Sequence, residues 1–232
     1  MHMKGRTKMD LLELPNYGLP EASLYLHVPI STLRYWVLGT EADRPLVRLA
    51  SRHPRPLLSF KNLIECYVLE VIRLSHKIGL RTIRYSLATA LSKYPSPHPF
   101  ADYSLTTHNG HIYLDERDLV DLSKGGQFAF REFMDSSFRR VDRNQSGLAK
   151  RLFPFTEKAQ MLQAQAEASR TVVIDPAVSF GMPVLADSRI TTGFLASRYR
   201  GGDSISMLAK DYGRKEREIE EALIWERAKQ AA

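Results

Sequence analysis

A single cysteine, Cys66, stands in a chain of 232 residues. Within one chain that excludes disulfide stapling and a cysteine-based zinc site. No apolar run approaches the roughly 20 residues that span a bilayer; the richest, Leu63 to Leu74, is broken by Glu65, Glu70 and Arg73. The opening residues MHMKGRTKMD lack the apolar core of a secretory signal, so a cytoplasmic protein without membrane contact is expected. There is no glycine-rich phosphate loop, no metal-ligand spacing and no nucleophile–base pair. The expectation is therefore a non-enzyme with no catalytic residue, no metal and no cofactor.

The chain does have apolar content and unevenly placed charge. Hydrophobic residues make up 44% of it, enough to bury cores in one or two domains of ordinary size. Residues 1–100 hold 14 basic and 7 acidic side chains, whereas residues 101–232 hold 19 of each, so the entire net charge of +7 lies in the first hundred. Lys4, Arg6 and Lys8 form a basic arm, and Arg44, Arg48, Arg52, Arg55 and Lys61 follow one another with no acid between them. Such a field favours a polyanion through counterion release and steering.

Within that basic part, Leu19 to Gly39 reads as two short amphipathic helices joined by a turn at His27, Val28 and Pro29, the pattern of a helix-turn-helix. Ala22, Leu24, Tyr25 and Leu26 mark the first helix, and Ser31 or Thr32 is expected to cap the second. At 100° per residue the second helix sets Ile30, Leu33 and Val37 on one side and Ser31, Thr32 and Tyr35 on the other, with Arg34 and Trp36 flanking the apolar stripe. A plain helical hairpin shows the same periodicity; the charge gathered in the same hundred residues favours DNA. The expected DNA-binding residues are Ser31, Thr32, Arg34, Tyr35 and Trp36 on the helix, Arg48, Arg52 and Arg55 on a following loop or wing, and Lys4 and Arg6 on the arm.

Two helices follow, Lys61 to Ile78 and Arg81 to Tyr94, divided by Gly79. The first is apolar over much of its circumference, which a dimer interface or a larger intrachain core would cover equally well. Alternation in YSLTTHNGHIYL around Asn109-Gly110 predicts a two-residue hairpin, with His108 and His111 flanking the turn as structural residues. The stretch Glu116 to Asp142 is expected to hold an amphipathic helix bearing Phe128, Phe130, Phe133, Met134, Phe138 and Val141, ending near Arg139, Arg140 and Arg143. Composition breaks again near Thr171. Beyond it come short strands at Val172 to Ile174 and around Val184 to Ile190, then helices over Thr191 to Tyr199, Ser204 to Tyr212 and Lys215 to Lys229. From Ser204 to Lys229 there are 6 basic and 6 acidic residues, four of the acids being Glu216, Glu218, Glu220 and Glu221. That balance suits a protein partner or a dimer mate better than phosphate, although Arg198, Arg200, Arg214, Lys215 and Arg217 leave a DNA role open.

The expected fold is mainly α with small β elements. It comprises an N-terminal winged helix-turn-helix (1–100), a central hairpin and helix region (101–170) and a C-terminal three-helix unit of helix-turn-helix type (171–232).

Two resemblances attach to these residues. The N-terminal hundred residues resemble the MerR-like winged helix-turn-helix, with TLRYW where that superfamily has its Arg-aromatic-aromatic signature. The C-terminal segment resembles the domain-of-unknown-function 433 family through Asp175-Pro176, Gly181 with Pro183, Ser188-Arg189-Ile190, Gly202 with Ser204, Tyr212, and the ladder Ile219, Ala222, Leu223. It departs at Met182, where a Lys is common, and at Ala186-Asp187-Ser188, where small-Gly-Thr is usual. Members of that family resemble VapB-type antitoxins. The resemblance thus implies a homodimeric antitoxin that represses its own operon by binding operator DNA, and neutralises a PIN-like ribonuclease toxin. It also implies a toxin-binding role for Arg189, Arg198, Arg200 and Trp225. The alternative is a MerR-like regulator that responds to a small-molecule effector, with Phe128, Phe130, Phe133 and Phe138 as candidate pocket residues, although core packing is the plainer reading of them.

Overall fold

A computed structural model describes residues 10–52, 54–74, 77–94, 96–108, 111–115, 119–121, 127–129, 140–145, 147–156 and 169–231. The fold is mainly α with small antiparallel β elements. Strand β1 (Tyr17–Gly18) leads into helices α1 (Leu19–Leu26) and α2 (Ile30–Leu38). Strand β2 (Leu57–Leu58) then pairs antiparallel with β1 and precedes α3 (Phe60–Leu74), α4 (Leu80–Lys93) and the single turn α5 (Pro99–Asp102). Next come β3 (Ser104–His108), β4 (His111–Asp115), β5 (Leu119–Asp121) and β6 (Gln127–Ala129), a four-stranded meander, and then the pair β7 (Val141–Arg143) and β8 (Ala149–Leu152). Strands β9 (Val172–Val173) and β10 (Val184–Leu185) pair with each other ahead of α6 (Thr192–Arg200), α7 (Ile205–Tyr212) and α8 (Glu216–Ala231). Among the described residues no helix is long and apolar enough to cross a membrane.

Local chemistry explains the main boundaries. His27 ends α1 in the left-handed conformation at φ 53°, from which the chain turns directly into Pro29, the N-cap of α2. Ser31 and Thr32 lie inside α2 and make no cap, because Pro29 fixes the helix start ahead of both. Helix α3 begins in a reciprocal capping box: Ser59 Oγ accepts from the Asn62 N–H at 3.2 Å and Asn62 Oδ1 accepts from the Ser59 N–H at 3.1 Å. Caps also start the last helices, where Thr191 and Ser204 accept from the N–H groups of Phe194 and Met207.

Both described ends of the expected amphipathic helix are strands. Phe128 lies in β6, and Val141 and Arg143 lie in β7. Phe130, Phe133, Met134 and Phe138 fall outside the described residues. His108 pairs with His111 in the hairpin register.

Most of the length of α3 is buried on all sides, by its own chain: residues of α1, α2, α4, α5 and β8 share its core. The same core contains Val172, Ile174 and Trp225 from the C-terminal unit. A smaller cluster, including Leu195, Leu208, Ile219 and Ala222, holds the last three helices together. A buried charged network ties α3 to its surroundings. His98 Nδ1 lies 2.9 Å from the buried Glu65 carboxylate and its Nε2 3.3 Å from Glu13, while Lys61 Nζ reaches Glu13 at 2.8 Å and Asp102 at 3.2 Å.

Candidate nucleic-acid interface

Helix α2 turns Leu33 and Val37 of its expected apolar stripe inward, but Ile30 of that stripe lies on the exposed side. Leu33, Trp36 and Val37 are buried, whereas Ile30, Ser31, Arg34 and Leu38 are exposed and Thr32 and Tyr35 are half-buried. Trp36 is therefore a core residue and not a reader of base edges. Its indole is 1% exposed, and its carbonyl accepts from the Leu46 and Val47 N–H groups at 2.7 and 3.0 Å. The Arg73 guanidinium lies 5.8 Å from its ring centroid. An indole of that size reaches the core from a flanking position that the helical wheel leaves ambiguous.

Tyr35 is already committed within the chain. Its hydroxyl donates to Asp43 at 2.9 Å and accepts from Arg84 Nη2 at 2.8 Å, and the same guanidinium lies 5.6 Å over its ring. Arg84 Nη1 also donates to the Arg44 carbonyl at 2.7 Å. Gly39 completes the corner: at φ +73°, a Cβ there would sit 2.4 Å from the Asp43 carbonyl oxygen. Tyr35, Asp43 and Arg84 thus brace the loop leaving α2 against α4.

The loop then forms a small projecting hairpin. Ser51 and Leu57 exchange both backbone hydrogen bonds, at 3.3 and 3.0 Å, and enclose a tip that carries Arg52 and Arg55. Asn62 holds its base: beyond the capping box, Oδ1 accepts from the Ala50 N–H at 3.0 Å and Nδ2 donates to the Arg48 carbonyl at 2.7 Å. One buried amide thereby fixes the backbone from which Arg48 projects. Arg34, Arg48, Arg52 and Arg55 are all exposed, and none makes an ion pair among the described residues. Lys4 and Arg6 lie outside the described residues. Sequence patterns do not single out Asp43 or Arg84; Asn62 alone has a local signal, the Ser-x-x-Asn spacing from Ser59.

The residues expected to meet a partner protein divide in the same way. Trp225 is a core residue with no exposed surface, its ring 5.6 Å from that of Tyr25 on α1, so it joins the two ends of the chain and is not free to touch a second protein. Arg198 is held by Asp203 at 2.5 Å, Asp211 at 2.8 Å and the Tyr212 hydroxyl at 2.9 Å. Arg189 and Arg200 are exposed and make no ion pair among the described residues. Among the described residues there is no group of three His, Cys, Asp or Glu side chains that would hold a metal ion.

The exposed side of α2 thus carries Arg34, and the loop that follows carries Arg48, Arg52 and Arg55, on a mainly helical frame. Comparison with known proteins adds a more particular likeness. Residues 172–225 match the model of the family described as "Protein of unknown function (DUF433)". The chain is 27% identical, over 95% of its own length and 98% of the other, to the protein described as "Putative antitoxin VapB45" of Mycobacterium tuberculosis. The X-ray crystal structure of Rv2018 from Mycobacterium tuberculosis has the same overall fold, with a TM-score of 0.66 at 23% identity over 90% of this chain and 98% of that one.

Proposed function

We propose that this protein is the antitoxin of a toxin–antitoxin pair, which binds its own operator DNA with the N-terminal unit and holds a PIN-like ribonuclease with the C-terminal one. The observation that carries the reading is the likeness to an antitoxin across nearly the whole chain, which takes in both the basic and the neutral regions. On the DNA side, α2 enters the major groove with Ser31, Thr32 and Arg34 outward, while Arg48, Arg52 and Arg55 meet phosphates. Asn62 and the Tyr35–Asp43–Arg84 brace hold those contacts in register. A homodimer sets two such heads on half-sites about one helical turn apart.

On the toxin side, Arg189 and Arg200 are exposed arginines of the C-terminal unit that make no ion pair among the described residues. A PIN-like nuclease gathers carboxylates around a divalent metal, and an arginine entering that cluster replaces the metal's charge or blocks RNA.

Co-expression with the neighbouring reading frame tests the toxin half. A neighbour that is toxic alone, harmless with this protein and co-purified with it is expected; one that is harmless alone and does not co-purify overturns it. A mobility shift on the upstream DNA tests the other half, with affinity expected to fall steeply as salt rises. An absent or salt-independent shift overturns it.

A further inference from the structure

Phe180 is 87% exposed, more than any other large hydrophobic residue described, and its backbone is left-handed at φ 56° between Ser179 at 45° and Gly181 at 74°. A bulky residue rarely adopts that conformation and holds it only when its surroundings impose it. Here they do. Asn16 Nδ2 donates to the Phe180 carbonyl at 2.7 Å, and Ser179 Oγ donates to the Arg189 carbonyl at 3.2 Å. Gly181 lies so close to Tyr17 that a Cβ on it would be 2.2 Å from the phenolic oxygen. The chain therefore fixes the backbone that presents an aromatic ring to solvent, with Met182 (43% exposed) two residues on.

The same two stretches of chain, joined by residues between 144 and 150, also line a hollow. Leu11, Leu12, Ala149, Pro176 and Ala177, with Asp10 among the polar members of its wall, line an open cavity of about 520 Å³. That lies within the roughly 300–1,000 Å³ of sites that take a drug-sized ligand, so an aromatic ring and a neighbouring side chain fit inside. Leu11 is half exposed there. Segment 10–17 thus carries the wall of the hollow at one end and the support of Phe180 at the other, and segment 175–182 does the same.

We propose that the occupant of this cavity is Phe180 of a second copy of this chain. An isologous dimer needs a projection and a matching hollow on one face, so that each copy fills the other about a two-fold axis. The charges can also match, since both sides carry both signs: Arg189 and Asp187 stand on the segment after the projection, and Asp10 and Lys150 on the wall of the hollow, all four exposed. This deepens the dimer in the function proposed above by naming its surface.

Sedimentation velocity on the full chain at micromolar concentration is the test. The natural protein is expected to be a dimer, and Phe180→Asp or Leu11→Glu each to weaken association on the order of 100-fold without lowering the melting temperature. Mixing the two variants restores association above that of either alone, because one projection and one hollow remain intact in the mixed pair. A monomeric natural protein, a variant that dimerises unchanged, or a mixture with no gain overturns the inference. If Phe180→Asp stays dimeric but no longer co-purifies with a toxin, the ring belongs to the toxin interface. The dimer surface named here then fails while the antitoxin function stands. If instead Phe180→Asp loses dimerisation and the natural protein shifts no DNA, the dimer surface stands while operator binding fails.

Discussion

The arginines of the two ends of this molecule are used in opposite ways. At the N-terminal end Arg34, Arg48, Arg52 and Arg55 project without a carboxylate among the described residues to neutralise them. At the C-terminal end Arg198 is paired with Asp203 and Asp211, Arg214 with Glu218 and Arg217 with Glu221. Counting charges gives a basic part and a neutral part; pairing shows that several arginines of the neutral part are closed locally by a carboxylate, while Arg189 and Arg200 make no ion pair among the described residues. A polyanion would meet a field without local carboxylates at one end and, at the other, a surface where Arg198, Arg214 and Arg217 are already paired. Between them, Arg140 and Arg143 have become internal struts. Arg143 donates to the carbonyls of Ala101, Tyr103 and Gly147, and burial depresses its guanidinium to about 10.

The largest expected effect comes from cutting the link between the two ends. Trp225→Ala removes a fully buried indole packed on Tyr25 and is expected to cost about 3–5 kcal/mol in denaturant unfolding. A loss under about 1 kcal/mol would show that the ends are held together elsewhere. Next comes the field itself. Replacing Arg48, Arg52 and Arg55 together by Ala is expected to weaken operator binding about 100-fold or more and to make the logarithmic salt slope shallower by about 3. Stability should hold within about 0.5 kcal/mol, as for other surface changes. Arg214→Ala is the counterpart at the other end and should leave the slope unaltered. An equal change in slope from both would erase the contrast.

Inside the N-terminal unit, the Glu65–His98 contact gives a smaller, pH-dependent effect. Burial alone would lower the His98 imidazolium, but the hydrogen bond and charge of Glu65, joined by Glu13 and opposed by Lys61, raise it above its ordinary 6.5. Burial likewise raises the Glu65 carboxyl. With both folded-state values raised, the folded chain holds protons more tightly than the unfolded one. The His98 part of the stabilisation is complete below about pH 6.5 and declines as pH rises through its raised value, while the Glu65 part begins to decline lower, from about pH 4.5. Urea midpoints from pH 6 upward should fall, and His98→Asn should flatten the curve; a natural protein whose midpoint rises over that range would reverse the sign. No comparable buried histidine lies in the described part of the C-terminal unit.

What sequence made legible was whatever depends on local periodicity and local breaks. Helices α1, α2 and α6 to α8 stand within a residue or two of expectation, because Gly39, Gly201, Gly213 and the Thr191 and Ser204 caps mark their ends. Ser31 and Arg34 lie on the exposed face of α2 for the same reason. Properties set by distant contacts were not legible. Trp36 and Trp225 look alike on a helical wheel whether they meet solvent or core, and only Tyr25, far away in sequence, decides Trp225. Tyr35 reads as an outward phenol until Asp43 and Arg84 arrive, the latter 49 residues away. Phe180 gave no signal at all, since its conformation is imposed by Asn16 and Tyr17 from the other end of the chain.

The smallest expected effect is also the sharpest test of which residues on α2 touch DNA. Tyr35→Phe keeps the ring under the Arg84 guanidinium but removes the hydroxyl between Asp43 and Arg84. If Tyr35 is a brace, thermal unfolding should show a loss of about 1 kcal/mol, the usual worth of one hydrogen bond, and operator affinity should change by less than about threefold, under 0.7 kcal/mol. Arg34→Ala should do the opposite, leaving stability intact while weakening specific binding by about 1–3 kcal/mol, roughly 5- to 150-fold, if it reads a base edge. Were Tyr35→Phe instead to abolish sequence discrimination without destabilising the fold, the phenol would have to leave Asp43 and turn outward on binding. The brace between α2 and α4 would then be a resting arrangement of a reading residue.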